Sequence, residues 1–192
     1  MSVVGDFVRV AIPAMWVGWV VYWLVAARDT KRTRWRQPIG EDALNGVPLL
    51  LCTVLWLSPR WQPAALTAPI WQRGPSLMLI ATAIVAAGLG YAVWARVHLG
   101  RNWSSKVVVK EDHALVRTGP YRRVRHPIYT GMLLALLGSA IAVAEWRGFL
   151  ALACALVGVL FRVHAEETRM DETFPEYAEY KQRSSALVPG VF

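Results

Sequence analysis

The chain predicts an all-helical integral membrane protein with five spans. Hydrophobic residues make up 55% of the 192 positions and tryptophan occurs ten times. The apolar residues gather in runs separated by basic clusters. Soluble domains rarely combine such a composition with positive mean hydropathy.

A spanning helix needs roughly 20 mostly apolar residues at about 1.5 Å rise each. Residues 8–27, 76–95, 127–144 and 147–163 approach that length. Residues 43–57 form a shorter run that opens with Asn45, Gly46 and Pro48, which suits either a tilted span or a re-entrant segment.

Charge placement favours counting it as a span, because Lys and Arg accumulate on the cytoplasmic side of a membrane. Arg28, Lys31, Arg32, Arg34 and Arg36 follow the first run. Arg96, Arg101, Lys106, Lys110, Arg117, Arg122, Arg123 and Arg125 follow the third, and Arg162, Arg169, Lys181 and Arg183 follow the fifth. Only Arg9, Arg60, Arg73 and Arg147 fall on the other side. Five spans put all the large clusters on one face, with the N-terminus outside and the C-terminus cytoplasmic.

The +8 net charge lies in juxtamembrane connections, where anionic headgroups are the expected neighbours; nucleic acid is not an expected partner. The first run carries Asp6 and Arg9 ahead of a long apolar stretch, unlike a secretory signal. Cys52 and Cys154 lie inside apolar runs and read as packing residues.

Residues 1–192 form one domain, with 1–75 supplying the N-terminal spans and outer loop and 76–192 the remainder. The outer connection, 58–75, holds Pro59, Pro63, Pro69 and Pro75 among tryptophans, the composition of an irregular interfacial cap. The inner connection, 100–125, is long enough to suggest function, with a short extended piece at Val107, Val108 and Val109 and a turn at Thr118-Gly119-Pro120.

The last two spans are joined only around Glu145-Trp146-Arg147 and form an antiparallel hairpin. Gly148, Ala151, Ala155 and Gly158 make a small-residue stripe for close helix packing. Beyond the fifth span, Met170, Phe174, Tyr177 and Tyr180 predict a C-terminal amphipathic helix over 166–183, folded back beneath the bundle.

Ionisable groups at membrane depth are costly and point to function. His126 stands at the entry of the fourth span, with Arg162, Glu166 and Glu167 at the exit of the fifth. The hairpin brings His126, Tyr129, Arg162 and Glu166 together, and the four-residue step from Arg162 to Glu166 puts both on one helical face. A structural ion pair is the plainer reading of that step. His164-Ala165-Glu166-Glu167 lacks the spacing of a zinc motif, so no metal is expected. Nucleophile elbows and phosphate-binding glycine loops are absent from the sequence.

Four ordered pieces carry a resemblance. They are His113-Ala114-Leu115-Val116-Arg117-Thr118-Gly119-Pro120-Tyr121; Arg125-His126-Pro127-Ile128-Tyr129-Thr130-Gly131; Phe161-Arg162 leading to Glu166-Glu167; and Phe174 with Tyr177 and Tyr180. Together they resemble the isoprenylcysteine carboxyl methyltransferase family and its phospholipid methyltransferase relatives.

The resemblance implies S-adenosylmethionine as methyl donor, bound by a cytoplasmic loop and the hairpin ends. His113, Ala114, Leu115, Val116, Gly119, Tyr121, His126, Pro127, Ile128, Tyr129, Glu166 and Glu167 would hold the cofactor. Arg162 would contact the acceptor, and Arg162, Glu166 and His126 are the implied catalytic residues. A further polar cofactor contact falls near Val109 or Lys110, and the extra N-terminal spans of larger eukaryotic members are missing.

The implied acceptor is lipophilic and taken from the bilayer, first an isoprenylcysteine carboxylate, then a phospholipid amine or another small lipophile. A carboxylate needs no general base, whereas an amine or thiol would call on His126 or a glutamate. The alternative outside enzymology is a membrane protein whose basic collar binds lipid headgroups.

Overall fold

The computed structural model describes residues 3–28, 33–36, 39–57, 61–100, 108–110 and 115–191. Each of the five apolar runs is helical: α1 (Val3–Ala26), α2 (Ile39–Leu57), α4 (Pro75–Leu99), α5 (Pro127–Val143) and α6 (Trp146–Thr173), with a one-turn helix α3 (Ala64–Thr67) in the connection between α2 and α4. Helices α1, α4 and α6 are long and apolar enough to cross a membrane. Helix α5 and the apolar stretch Val47–Leu57 of α2 are shorter.

Chain direction alternates through the bundle. Arg96 Nη2 donates to Ala26 O at 2.6 Å, tying the end of α1 to the end of α4. Arg147 Nη1 donates to Leu55 O and Trp56 O at 3.2 and 3.3 Å, bringing the end of α2 to the start of α6. Backbone hydrogen bonding in the long helices is largely internal, as a hydrocarbon environment requires, with Pro13 in α1 and Pro48 in α2 each removing one donor.

Helices α4 and α5 meet backbone to backbone. A Cβ on Gly131 would lie 2.5 Å from Gly88 O, and one on Gly138 would lie 2.8 Å from Ala81 O. Only glycine permits that approach, and Ala81, Val85, Ala92 and Ala135 are buried around it. The predicted stripe on α6 is used too: Gly148 faces Ala140 of α5, Gly158 faces Pro48 and Leu49 of α2, and Ala151 and Ala155 pack with Cys52.

The hairpin turns at Ala144, whose φ of 56° closes α5 in the left-handed region. Its carbonyl accepts from Ile70 N at 2.8 Å, and Arg73 and Arg147 both bind Glu145, at 2.7 and 2.5 Å. The connection between α2 and α4 is therefore anchored on the hairpin turn.

Two features at the opposite end of the bundle bear on the sequence-based expectations. A short antiparallel ribbon pairs β1 (Thr33–Arg36) with β2 (Val108–Lys110), so Val108 and Val109 are extended as expected. Helix α6 does not stop near Val163 but continues to Thr173, and the amphipathic segment splits between its last turns and the short helix α7 (Tyr177–Gln182). Residues 164–173 contain no Gly or Pro, whereas Pro175 disfavours helical geometry at Phe174, which has φ −122° and ψ 107°. Val107, Lys31, Arg32, Arg60, Arg101 and Lys106 lie outside the described residues.

Candidate active site

The Thr118-Gly119-Pro120 turn starts a 3-10 turn over Gly119–Arg122. Gly119 has φ +58°, and a Cβ there would lie 2.6 Å from the His98 ring, so conformation and space both demand glycine. His98 Nε2 is 2.8 Å from Thr118 Oγ1, and its ring lies parallel to that of Tyr121 at 6.4 Å. The chain then runs to His126, which precedes the Pro127 that opens α5. Proline at the first turn fixes the helix start and keeps His126 outside it.

Helix α6 supplies the opposite wall. Arg162 Nε donates to Glu166 Oε1 at 3.0 Å, the one-turn pair expected from the spacing. The Tyr129 hydroxyl joins them, accepting from Arg162 Nε at 2.6 Å and donating to Glu166 Oε1 at 2.7 Å. His126 is buried between the two glutamates, only 9% exposed. Its Nδ1 is 3.4 Å from Glu166 Oε2 and its Nε2 is 3.2 Å from Glu167 Oε1. Glu167 also accepts from Arg125 Nε at 2.6 Å.

The electrostatics follow from these contacts. Burial disfavours a charged His126, but hydrogen bonds and charge from Glu166 and Glu167 outweigh it and hold the imidazole above its usual range. A protonated His126 donates from both ring nitrogens and offers no lone pair to a substrate proton. Arg125 and Arg162 set two cations against two carboxylates, with the His126 imidazole between the carboxylates. With both ring nitrogens of His126 facing carboxylates, the constellation can position groups and balance charge.

The remaining implied residues divide. Tyr121 and Ile128 form a buried cluster with Ala95, against which Val116 and Tyr129 pack. This gives an apolar shelf joined to the polar constellation through Tyr129. Leu115 instead packs on Phe174, Tyr177 and Tyr180. Pro127 is fully buried, and Gly119 shapes the turn. His113 and Ala114 lie outside the described residues.

Sequence reasoning missed roles for Arg125 and His98. Arg125 stands in the Arg125-His126-Pro127 motif, and a cation so placed opposite Glu167 was the available signal; nothing marks His98 at the end of α4. For a sulfonium- and ammonium-bearing cofactor, the donor set fits: two carboxylates, the parallel His126 and Tyr129 rings at 5.8 Å, and the Tyr121 shelf supply counter-charge and aromatic faces. Side chains of Arg162 and Glu166 remain 23% and 20% exposed, so this face is within a ligand's reach.

Residues 78–172 match the model of the isoprenylcysteine carboxyl methyltransferase (ICMT) family. The cobalt-zinc-cadmium resistance protein CzcN of Cupriavidus metallidurans is 35% identical over 47% of this chain and 43% of its own length. Methanethiol S-methyltransferase 1 of Bradyrhizobium diazoefficiens is 26% identical over 86% of this chain and 61% of its own. Protein-S-isoprenylcysteine O-methyltransferase B of Arabidopsis thaliana is 31% identical over 57% and 52%. The chain thus spans about half the length of the curated relatives it matches.

The solved eukaryotic intramembrane Ras methyltransferase ICMT shares the fold, with a TM-score of 0.52 at 19% identity over 78% of this chain and 53% of that one. This fold and the apolar helices make the protein an integral membrane protein. Through residues 78–172, the chain is similar to the isoprenylcysteine carboxyl methyltransferase family.

Proposed function

We propose that this protein is a membrane methyltransferase that uses S-adenosylmethionine and methylates the carboxylate of a lipophilic, isoprenylcysteine-type acceptor. The observation that carries the choice of acceptor is His126 bound through both ring nitrogens to Glu166 and Glu167. With its candidate base so engaged, the site favours an acceptor that arrives ionised, as a carboxylate does near neutral pH.

The cofactor supplies an electrophilic methyl group when bound. His126, Tyr129 and Tyr121 would present ring faces to it, and Glu166 and Glu167 would balance its positive charge. Leu115, Val116, Pro127, Ile128 and Gly119 would shape the pocket behind them, with His113 and Ala114 continuing it. Arg162 would orient the acceptor carboxylate from α6. Exclusion of water by the surrounding helices would strip the acceptor of its hydration and raise its nucleophilicity. Five spans with the site at the cytoplasmic end would let the acceptor enter from the bilayer and the cofactor from the cytoplasm.

A thiol acceptor is the second reading, favoured by the alignment of most of this chain with methanethiol S-methyltransferase 1. A transfer assay with methyl-labelled S-adenosylmethionine against prenylcysteines, lipid amines and small thiols separates the cases. A methyl ester releases its label as methanol in alkali, whereas a thioether keeps it. Base-stable label on a thiol overturns the carboxylate reading. Folded protein without saturable S-adenosylmethionine binding overturns the enzyme reading.

A further inference from the structure

After α7, residues 184–187 run alongside the strand-like stretch before α5. Ser185 N donates to Arg123 O at 3.0 Å, Arg125 N to Ser185 O at 2.9 Å, and His126 N to Ala186 O at 3.0 Å. Thr130 Oγ1 then donates to Leu187 O at 2.7 Å and to His126 O at 3.2 Å. Ala186 and Leu187 are buried with Val159 and Val163 of α6, and Tyr129 and Leu133 pack against them. One segment thus touches both helices that carry the site.

Arg125 couples this segment to the carboxylates. Its side chain is 10% exposed. Nε donates to Glu167 at 2.6 Å, while Nη1 donates to Lys181 O at 3.3 Å and to Ser184 O.

We propose that Arg125 and residues 184–187 form a positioning clamp that fixes His126 between Glu166 and Glu167. The physical reason is the cost of the arrangement without it. Two neighbouring carboxylates repel each other, and a buried backbone N–H needs an acceptor. The clamp supplies a cation to Glu167 and a carbonyl to His126 N, and its apolar residues hold the Tyr129 side of α5 against α6. Neither Arg125 nor the segment is assigned a contact with reacting atoms; they act through His126.

Among the described residues, the charged and titratable groups around His126 belong to this system. Glu166 and Glu167 come from α6, Arg125 from the adjoining stretch, Arg162 and Tyr129 bear on Glu166, and Lys181 of α7 lies 3.8 Å from Glu167. Loosening the clamp is expected to let the imidazole drift from its two acceptors and lower its proton affinity.

The consequence for the cofactor rests on the function proposed above, so the experiment has two arms. In detergent-solubilised full-length protein, the His126 imidazole is titrated by nitrogen-15 NMR, assigned with His126→Gln, and S-adenosylmethionine binding is measured by calorimetry. Leu187→Ala and Thr130→Val are expected to lower the His126 midpoint by about one pH unit and weaken cofactor binding about tenfold, whereas Arg125→Gln, which also removes a cation that opposes protonation of the imidazole, is expected to weaken cofactor binding without lowering the midpoint. Leu187→Met and Thr130→Ser are expected to preserve both.

If Leu187→Ala and Thr130→Val melt cooperatively near the wild-type temperature and keep the wild-type His126 midpoint, the clamp is overturned. If Leu187→Ala does not fold, Thr130→Val decides, since it removes one hydroxyl at nearly constant shape. Wild-type protein that titrates as expected but binds no S-adenosylmethionine overturns the proposed function, while the NMR arm still decides the clamp.

Discussion

The Tyr129 hydroxyl donates to Glu166 Oε1 at 2.7 Å, linking the first turn of α5 to the C-terminal half of α6. The same hydroxyl accepts from Arg162, so one oxygen sets the spacing of a cation and an anion that also touch directly. The pair that looks structural from a four-residue step is therefore part of a three-residue unit.

Tyr129→Phe removes the shared hydroxyl but leaves the Arg162–Glu166 contact. A hydrogen bond to a charged group contributes about 1.5–3 kcal/mol, so kcat/KM should fall about 10- to 100-fold if the unit is held most firmly during transfer. Initial rates in proteoliposomes measure this. Unchanged rates would remove Tyr129 from the working geometry.

Glu166→Gln should mainly weaken S-adenosylmethionine binding, whereas Arg162→Gln should mainly lower turnover of the acceptor. Because the two side chains are 3.0 Å apart, their effects should couple. Residues in contact commonly show interaction energies of about 0.5–3 kcal/mol, and a double-mutant cycle on cofactor affinity reads this coupling. Strict additivity would mean that the ligand separates them.

His126 carries a pH prediction with a fixed sign. Its proton affinity is raised in the folded protein. The stability it contributes is then fully present below its unfolded value, about 6.5, and is lost as pH rises through the higher folded value. The melting temperature of the wild type should fall as pH rises from about 6.5, and His126→Gln should lack that component. Overlapping profiles for the two proteins would show that His126 is not held as an imidazolium.

The apolar runs and the alternating basic clusters made five helices legible, and the hairpin with the Arg162–Glu166 step brought His126 and Tyr129 to the right end of α6. Hydropathy misled at the end of that helix, because Glu166 onward marks loss of apolar character and not loss of helix. Arg125 was harder to read: it reaches Ser184 O and Lys181 O, and backbone carbonyls so far along the chain leave no residue pattern. The close seam between α4 and α5 does have a pattern, Gly88 and Ala92 facing Gly131 and Ala135, and Ala81 and Val85 facing Gly138. It shows the same small-residue spacing noticed on α6, but facing partners emerge only once the helices are assembled.

That seam gives a packing prediction with an internal control. A Cβ at Gly131 would fall 2.5 Å from Gly88 O and 2.7 Å from Ala92 N, and backbone atoms cannot yield as a flexible side chain can. Gly131→Ala must therefore push α4 and α5 apart, at a cost of about 1–3 kcal/mol, and carry the first turn of α5 away from its contacts with α6. A Cβ added at Gly90, also in α4, would meet nothing within 4 Å. There Gly90→Ala should be neutral or should stabilise by up to about 1 kcal/mol through helix propensity. Thermal melting in one detergent measures both, with the transfer rate of Gly131→Ala falling further than its stability alone accounts for. Equal melting temperatures for the two variants would show that the seam accommodates a methyl group by a small helix shift.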